Sequence, residues 1–207
     1  MARYTDAKCR LCRREGKKLF LKGKRCYLPK CPIDRKGAVP PGVRGTKVRP
    51  HTSEYGLQLR EKQKAKRTYG VLERQFKNYF IESRKSKGMT GEIFLINLES
   101  RLDNVVFRLN LTPSRSVSKQ LVSHGHVKVN NKAVDVPSYR VKIDDIITVS
   151  AIGLKIPQVS ETFAERSDIM PEWLERKGAV GRVKRMPKRE EIDGDINEQL
   201  IVEFYSR

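Results

Sequence analysis

The positions of the cysteines constrain the fold of this chain more than any other feature of its sequence. There are four of them, and all lie within the first 31 of 207 residues. Two residues separate Cys9 from Cys12, thirteen residues follow, and four residues separate Cys26 from Cys31. A gap of two lets both thiolates reach one cation from a tight loop, and the longer gap lets the second pair fold over the first. The spacing predicts a closed four-cysteine metal knuckle with a structural role.

Three kinds of chemistry use clustered thiols. Zinc suits four sulfur ligands in a tetrahedral arrangement, and an iron–sulfur cluster on the same four thiolates stays open as an alternative. Disulfides are disfavoured in a cytosolic chain. A loop this small has little core of its own, so the ion is expected to supply folding free energy on the order of 10 kcal/mol. Nearby cations are expected to lower the thiol pKa values. They are Lys8, Arg10, Arg13, Arg14, Arg25 and Lys30.

The net charge is the second constraint. The chain carries 44 Lys and Arg against 24 Asp and Glu, a formal charge of +20, and residues 1–50 alone contribute +13. Such a field repels itself unless phosphates neutralise it, so an acidic polymer is the expected partner. No stretch approaches 18 apolar residues, and the N-terminus lacks the apolar segment of a signal peptide. We therefore expect a cytoplasmic chain with no membrane partner.

Hydrophobic periodicity predicts helices over 53–70, 71–87, 90–109 and 114–125. Alternating valines on either side of Asn130-Asn131 predict a hairpin, and a second strand pair is expected on either side of Asp144-Asp145. Residues 37–50 contain three prolines and three glycines, which predicts an extended strap. Residues 200–205 resemble a strand in composition.

Several runs resemble one known family. They include SRLDNVVFRL (100–109), the segment from Arg115 to Val127, Pro137-Ser138-Tyr139, and NEQLIVEFYSR (197–207). Residues 55–64 and 69–71 fit the same pattern. Together they are similar to the family of protein four of the bacterial small ribosomal subunit, in its cysteine-containing form. The resemblance covers nearly the whole chain.

This resemblance implies an α+β fold in four parts. Residues 1–50 would form the four-cysteine metal knuckle and a basic extended strap. Residues 51–98 would form a mainly helical domain, completed by a C-terminal segment, 160–207, that packs on it. Residues 99–159 would form an inserted RNA-binding module of two helices and a small twisted antiparallel sheet.

The resemblance also implies a function. Family members are structural proteins of the small subunit, act as primary binders of small-subunit (16S) ribosomal RNA and nucleate assembly of the subunit body. Neighbouring small-subunit proteins are implied as partners, notably protein five, with which the family influences translational accuracy. Messenger RNA, at the channel through which it enters the subunit, is a further implied partner. The expected location is the cytoplasmic small ribosomal subunit.

Candidate RNA contacts follow from the side chains. Lys and Arg neutralise phosphates, and A-form RNA is recognised through its backbone and 2′-hydroxyls. In the module, a short helix followed by a β-turn is expected to form a ridge on an RNA junction. His124 and His126 are equally consistent with a packed, hydrogen-bonded pair at a helix end. The candidates are Arg44, Lys47, Arg49, Arg60, Lys62, Lys64, Lys66, Arg67, Arg101, Arg115, Ser118, Lys119, Gln120, His124, His126 and Lys128.

An enzyme is the alternative that Arg101-Leu102-Asp103 raises. Pseudouridine synthases place a catalytic Asp in such a triplet and often carry the same module. Here the triplet lies at the start of a helix with one apolar face. Asp103 is expected to interact favourably with the helix dipole or to pair with an Arg. The sequence shows no nucleophile elbow, phosphate-cradling Gly loop or paired acid–base motif, so no catalytic residue is predicted. A stand-alone RNA-binding regulator is the other alternative.

Overall fold

The computed structural model describes residues 4–42, 53–164, 170–192 and 195–207. The chain divides into two compact units, Met1–Gly91 with Asp195–Arg207, and Glu92–Gly194. No helix in these described ranges is long and apolar enough to cross a membrane. The elements combine helices with one antiparallel sheet, which confirms the predicted α+β class.

The helices in the described ranges are α1 (Lys8–Glu15), α2 (Pro32–Lys36), α3 (Glu54–Tyr69), α4 (Glu73–Lys85), α5 (Thr90–Glu99), α6 (Leu102–Arg108), α7 (Arg115–Ser123), α8 (Ala151–Leu154), α9 (Pro157–Ala164) and α10 (Glu198–Ser206). The strands are β1 (Val127–Val129), β2 (Lys132–Ala133), β3 (Ile146–Val149), β4 (Leu174–Lys177) and β5 (Val180–Val183).

Helix α3 is the centre of the first unit, and its ends are where the sequence predicts them. The Ser53 hydroxyl accepts the backbone N–H of Gly56 at 3.2 Å, which satisfies a donor that the first turn leaves unpaired. Gly70 ends the helix in the left-handed conformation, with φ 62°. Helices α3 and α10 pack along each other within this unit.

Residues 200–205 are helical, so the strand prediction for them is wrong. The Asn197 side chain caps α10 by accepting the N–H groups of Gln199 and Leu200. The apolar side chains then recur at helical spacing, with Ile201 fully buried and the Phe204 ring 5.7 Å from that of Tyr55 on α3. Burial against a neighbouring helix outweighs the strand preference of a short apolar run.

The sheet belongs to the second unit, in the order β2-β1-β3-β5-β4 with every pairing antiparallel. Val129 pairs with Lys132 across a two-residue turn, in which Asn130 and Asn131 have φ of 49° and 65°. This confirms the predicted hairpin, and Asn tolerates the positive φ that such a turn requires. Asp144, at the other predicted turn, has φ 68°, but the strand pair expected there is wrong, because residues 141–143 are not a strand and β3 pairs with β1 and β5.

Two features of the second unit depart from the predicted elements. The single helix predicted over 90–109 is instead two helices, α5 and α6. The chain leaves the helical path between them, because Arg101 forms a β-bridge with Arg140 and Leu102 N–H donates to Tyr139 O at 2.8 Å. Strands β4 and β5 extend the sheet and the second unit runs to Gly194, so of the predicted C-terminal segment 160–207 only Asp195–Arg207 belongs to the first unit. The core of the second unit joins α6, α7 and the sheet through fully buried side chains such as Leu109 and Ile147.

Candidate nucleic-acid interface and metal centre

The four cysteines come together around one cavity in the first unit. Cys9 and Cys12 lie on α1, Cys26 ends a 3-10 turn (Gly23–Cys26), and Cys31 directly precedes α2. All four line a cavity of about 20 Å³. Cys12, Cys26 and Cys31 are buried, whereas Cys9 is half-buried. The predicted grouping of two distant pairs in one place is therefore present.

The cavity suits a soft cation. Its other lining residues supply no carboxylate or imidazole, and they are Lys8, Leu21, Lys22, Pro32 and Ile33. The backbone N–H of Lys22 donates to the Cys26 sulfur at 3.4 Å, a bond that orients a sulfur ligand. As the side chains stand, no three Cys, His, Asp or Glu residues of the described chain are placed to hold an ion together.

The thiol pKa values depart from the sequence expectation. Burial raises the pKa of Cys12, with hydrogen bonding to the Leu19 backbone opposing the rise. Burial also raises the pKa of Cys26, against the donation from the Lys22 backbone. The expected lowering by nearby cations is thus wrong for these two thiols, because desolvation of the thiolate dominates. A metal would have to displace their protons, so its affinity should increase with pH.

The five candidate cations of α3 are paired inside the first unit. Lys62 is buried, donates to Glu73 at 2.8 Å and lies 4.6 Å from the centre of the Phe204 ring. Lys66 donates to the other oxygen of the same carboxylate at 2.9 Å. Lys64 is buried too, with Glu61 at 2.6 Å.

The remaining two cations of α3 share one carboxylate. Arg60 and Arg67 both pair with Glu15 of α1, whose side chain is only 2% exposed. Burial raises the pKa of Glu15, and the two guanidinium groups oppose that rise. The side chains of Arg60, Lys66 and Arg67 keep 32%, 20% and 21% exposure, so of the five these three have the most surface for a second, phosphate partner.

In the second unit, the start of the ridge is anchored by buried polar contacts. Arg101 is 1% exposed and forms a two-bond ion pair with Asp103, at 3.0 and 2.6 Å. Pairing of Asp103 with an Arg is therefore confirmed. Ser118 is fully buried and bonds the hydroxyl of Thr112. Arg101 and Ser118 thus lie beneath the ridge surface.

Arg115 and Lys119 on α7 are both partly exposed to solvent. Arg115 is half-buried, donates to the Asn104 side chain at 2.7 Å and lies over the Phe107 ring at 4.6 Å. Burial lowers the pKa of Lys119, and the charge of Asp103 opposes that effect. The fold therefore holds Arg115 in place before any ligand arrives, and Lys119 is half-buried on the same helix.

The outer edge of the ridge is formed by the end of α7 and by β1. Gln120, His124 and Lys128 are exposed, and His126 is half-buried. The rings of His124 and His126 are 6.2 Å apart and tilted by 56°. Four of the predicted RNA contacts are therefore accessible at the end of α7 and on β1, and of these the structure places His124 and His126 close together. Three further candidates, Arg44, Lys47 and Arg49, lie outside the described residues.

An exposed aromatic pair in the knuckle is a feature that the sequence analysis did not single out. The rings of Phe20 and Tyr27 stack with their centres 5.0 Å apart. The available signal is the interleaving of aromatic and basic residues within the cysteine loop, a pattern typical of nucleic-acid surfaces.

Comparison with known proteins gives a consistent result. A family model described as "Ribosomal protein S4/S9 N-terminal domain" matches residues 3–99, and one described as "S4 domain" matches residues 100–147. The "Small ribosomal subunit protein uS4A" of Clostridium botulinum is 55% identical over 209 residues, and the alignment covers 100% of both chains. The uS4 proteins of Clostridium tetani and Dictyoglomus turgidum are each 53% identical, again over 100% of both chains.

Similarity of this strength extends through the cysteine loop, the helical unit and the sheet-containing unit. It agrees with the α+β fold and with the ridge that α7 and β1 form in the residues matched by the S4 domain. The chain belongs to the ribosomal protein S4 family, whose bacterial relatives are named small ribosomal subunit protein uS4.

Proposed function

We propose that this protein binds small-subunit (16S) ribosomal RNA early in assembly and nucleates the body of the subunit. As a member of a ribosomal protein family it is a structural, RNA-binding component of the cytoplasmic small subunit and not an enzyme. The full-length identity to uS4 relatives is the observation that carries the proposal. The concentrated positive charge supports it, because phosphate neutralisation relieves the self-repulsion.

The ridge is the proposed contact surface of the second unit. Gln120, His124 and Lys128 offer exposed donors, Lys119 is half-buried, and the half-buried Arg115 is oriented by its bond to Asn104. Side chains fixed in advance lose less entropy on binding than free ones. Arg60, Lys66 and Arg67 are further proposed phosphate contacts in the first unit.

A matched pair of charge reversals tests the ridge. Lys128 lies on β1 and Lys177 on β4, at the far edge of the same sheet, and both are exposed. Lys128→Glu should weaken binding of the full-length protein to a 16S transcript and lower the slope of log K against log salt by about one. Lys177→Glu should leave the slope at the wild-type value. Equal effects from both variants would reject the ridge as a specific contact surface.

Neutral substitutions test whether the half-buried Arg115 and Lys119 contact phosphates. They avoid placing a new carboxylate near Asp103. The double variant Arg115→Gln/Lys119→Gln should lower the salt slope by about two, since two phosphate contacts are lost. Circular dichroism on the same samples checks that the helices remain. An unchanged slope in a folded variant would remove these two residues from the interface.

Zinc is the metal that we propose for the cysteine cavity, as a single structural ion held by Cys9, Cys12, Cys26 and Cys31. The sulfur-only donor set supports it, and an iron–sulfur cluster on the same thiols is the alternative. When bound, the ion would tie α1, the 3-10 turn and α2 together. Elemental analysis with a visible absorption spectrum decides between them, because zinc is colourless. One zinc per chain is expected, and iron with visible bands would overturn the assignment.

Protein five of the small subunit and messenger RNA, at the channel where it enters, are the further partners that we propose. Membership of the uS4 family supports both partners, and the positive charge of the first unit suits binding to messenger RNA. Chemical cross-linking of reconstituted small subunits, read by mass spectrometry, tests them. Cross-links to other small-subunit proteins with none to protein five would overturn the proposed contact with protein five. An absence of cross-links to bound messenger RNA would overturn the proposed contact with messenger RNA.

A further inference from the structure

The cysteine knuckle presents two aromatic rings to solvent. Phe20 is 38% exposed and Tyr27 is 71% exposed. Their rings are stacked, with centres 5.0 Å apart and planes inclined by 29°. Because one face of the Tyr27 ring lies against Phe20 while most of the side chain is exposed, the opposite face is open to solvent.

The backbone at Phe20 is unfavourable for a residue of its kind. Its φ is 49°, in the left-handed region that glycine and asparagine adopt readily and that a bulky side chain rarely adopts. Strained backbone of this sort concentrates at functional sites. Glycine would satisfy the turn at lower cost, so turn geometry does not account for an aromatic residue here.

Core packing does not account for Phe20 either. The neighbouring Leu19 is buried and Leu21 lines the cysteine cavity, so the chain uses the residues on either side for its interior. The side chain between them is directed outward, onto Tyr27. The turn therefore holds an aromatic ring at the surface.

The surroundings of the two rings are strongly basic. Residues 17–36 contain eight Lys and Arg and one acidic residue, Asp34. Lys22, Lys24 and Arg25 lie between the two rings in sequence, and all three are exposed. A surface that combines stacked aromatic rings with cations matches the two chemical parts of a nucleotide, the flat base and the anionic phosphate. An apolar protein surface would gain little from the cations.

We propose that the Phe20–Tyr27 pair is a stacking platform for an unpaired base of ribosomal RNA, with Lys22, Lys24 and Arg25 close to the adjoining phosphates. This site rests on the proposed RNA-binding function and extends it to a chemical class of ligand, a single-stranded nucleotide. The base stacks on the open face of Tyr27. Phe20 supports the other face and fixes the orientation of the tyrosine ring.

The first test compares side chains at position 27 of the full-length, natively purified protein. Tyr27→Phe keeps the ring and should bind a 16S transcript within about twofold of wild type. Tyr27→Leu stays apolar without a π-face and should raise Kd about tenfold or more, as expected for the loss of one stacked base. The salt slope should be unchanged in both variants, because stacking releases no counterions. Leu28→Ser, at an exposed neighbour with no ring, is the control and should bind like wild type.

The second test separates folding from binding at position 20. Phe20→Gly removes the ring and relieves the backbone strain, so its thermal stability should equal or exceed that of wild type while its Kd rises. A variant that loses stability would instead assign Phe20 a structural role and overturn the proposal.

The remaining outcomes are also decisive. Wild-type affinity in Tyr27→Leu overturns the platform, and so does an equal loss of affinity in Tyr27→Phe and Tyr27→Leu, because the first keeps the ring. If the wild-type protein itself fails to bind the transcript, the failure belongs to the proposed function and not to the platform. Ultraviolet cross-linking supplies an independent readout, with Tyr27 expected among the residues joined to unpaired nucleotides.

Discussion

At the scale of single residues, ion pairs between distant parts of the chain decide which charges face solvent. Five basic residues of α3 resemble a solvated, phosphate-facing set in the sequence, yet each pairs with a carboxylate in the first unit. Glu15 precedes Arg67 by 52 positions, so no local pattern could reveal the contact. The cysteines were predictable as a group because metal-ligand spacing is itself a local signal.

The Arg101–Asp103 pair gives a prediction at this scale. Both residues are buried, so removing one partner leaves an uncompensated charge in the interior. Arg101→Leu should lower the unfolding free energy by about 3–5 kcal/mol, measured by urea denaturation. The double variant Arg101→Leu/Asp103→Leu should lose less than the sum of the two single variants. Additive losses would show that the pair is not coupled.

Glu73 gives a pH-dependent prediction. Burial alone would raise its pKa, but hydrogen bonds from Lys62, Lys66 and Tyr205 outweigh burial and lower it from 4.5 to about 2. A lowered folded-state pKa stabilises the protein above pH 4.5, and this contribution is lost as the pH falls toward 2. Because the side chain is 46% exposed, solvent screening reduces the contribution to about 1 kcal/mol.

The measurement is urea unfolding of wild type and Glu73→Gln at several pH values. The wild type should be the more stable of the two at pH 6, and the difference should shrink progressively between pH 4.5 and 2.5. Comparison with the variant cancels the titration of the other carboxylates. A difference that stays constant over this range would contradict the assigned pKa.

At the scale of elements, local signals predicted the ends of α3 and the hairpin at Asn130-Asn131, since caps and turns depend on a few adjacent residues. Long-range contacts overrode local preference elsewhere. Helix α10 forms from a strand-like run because packing along α3 favours the helix, with the Phe204 ring close to Tyr55 and to the Lys62 ammonium. Strands β4 and β5 escaped prediction because Leu174–Lys177 contains three charged residues and only a sheet partner makes it a strand.

The contact between β5 and the residue that ends α6 gives a prediction at the scale of elements. A Cβ atom on Gly181 would come within 2.3 Å of the fully buried Leu109 side chain. Gly181→Val should therefore lower the unfolding free energy by about 1–3 kcal/mol through overpacking. Val180→Ala, at an exposed position on the same strand, is the control and should change stability by less than about 0.5 kcal/mol. Equal effects would place the strain elsewhere.

At the scale of the whole molecule, the charge of +20 affects stability as well as binding. Self-repulsion destabilises the compact state, and a polyanion relieves it. Inorganic polyphosphate should therefore raise the melting temperature by a few degrees in dilute buffer, and the shift should vanish in 1 M KCl, where screening is strong. Calorimetry provides the measurement, with a neutral polymer of equal mass as the control. A shift of equal size with the neutral polymer would point to crowding instead.

The pairing of α3 with α10 has a consequence for biosynthesis. Gln58 donates to Glu203 at 3.0 Å across 145 positions of sequence. Every residue of Glu92–Gly194 leaves the translating ribosome before α10 does, so that unit can fold while α3 still lacks its neighbour. The helical scaffold around α3 is consequently finished late, and until then the surface of α3 that α10 covers would have to be shielded by a chaperone or by nascent ribosomal RNA.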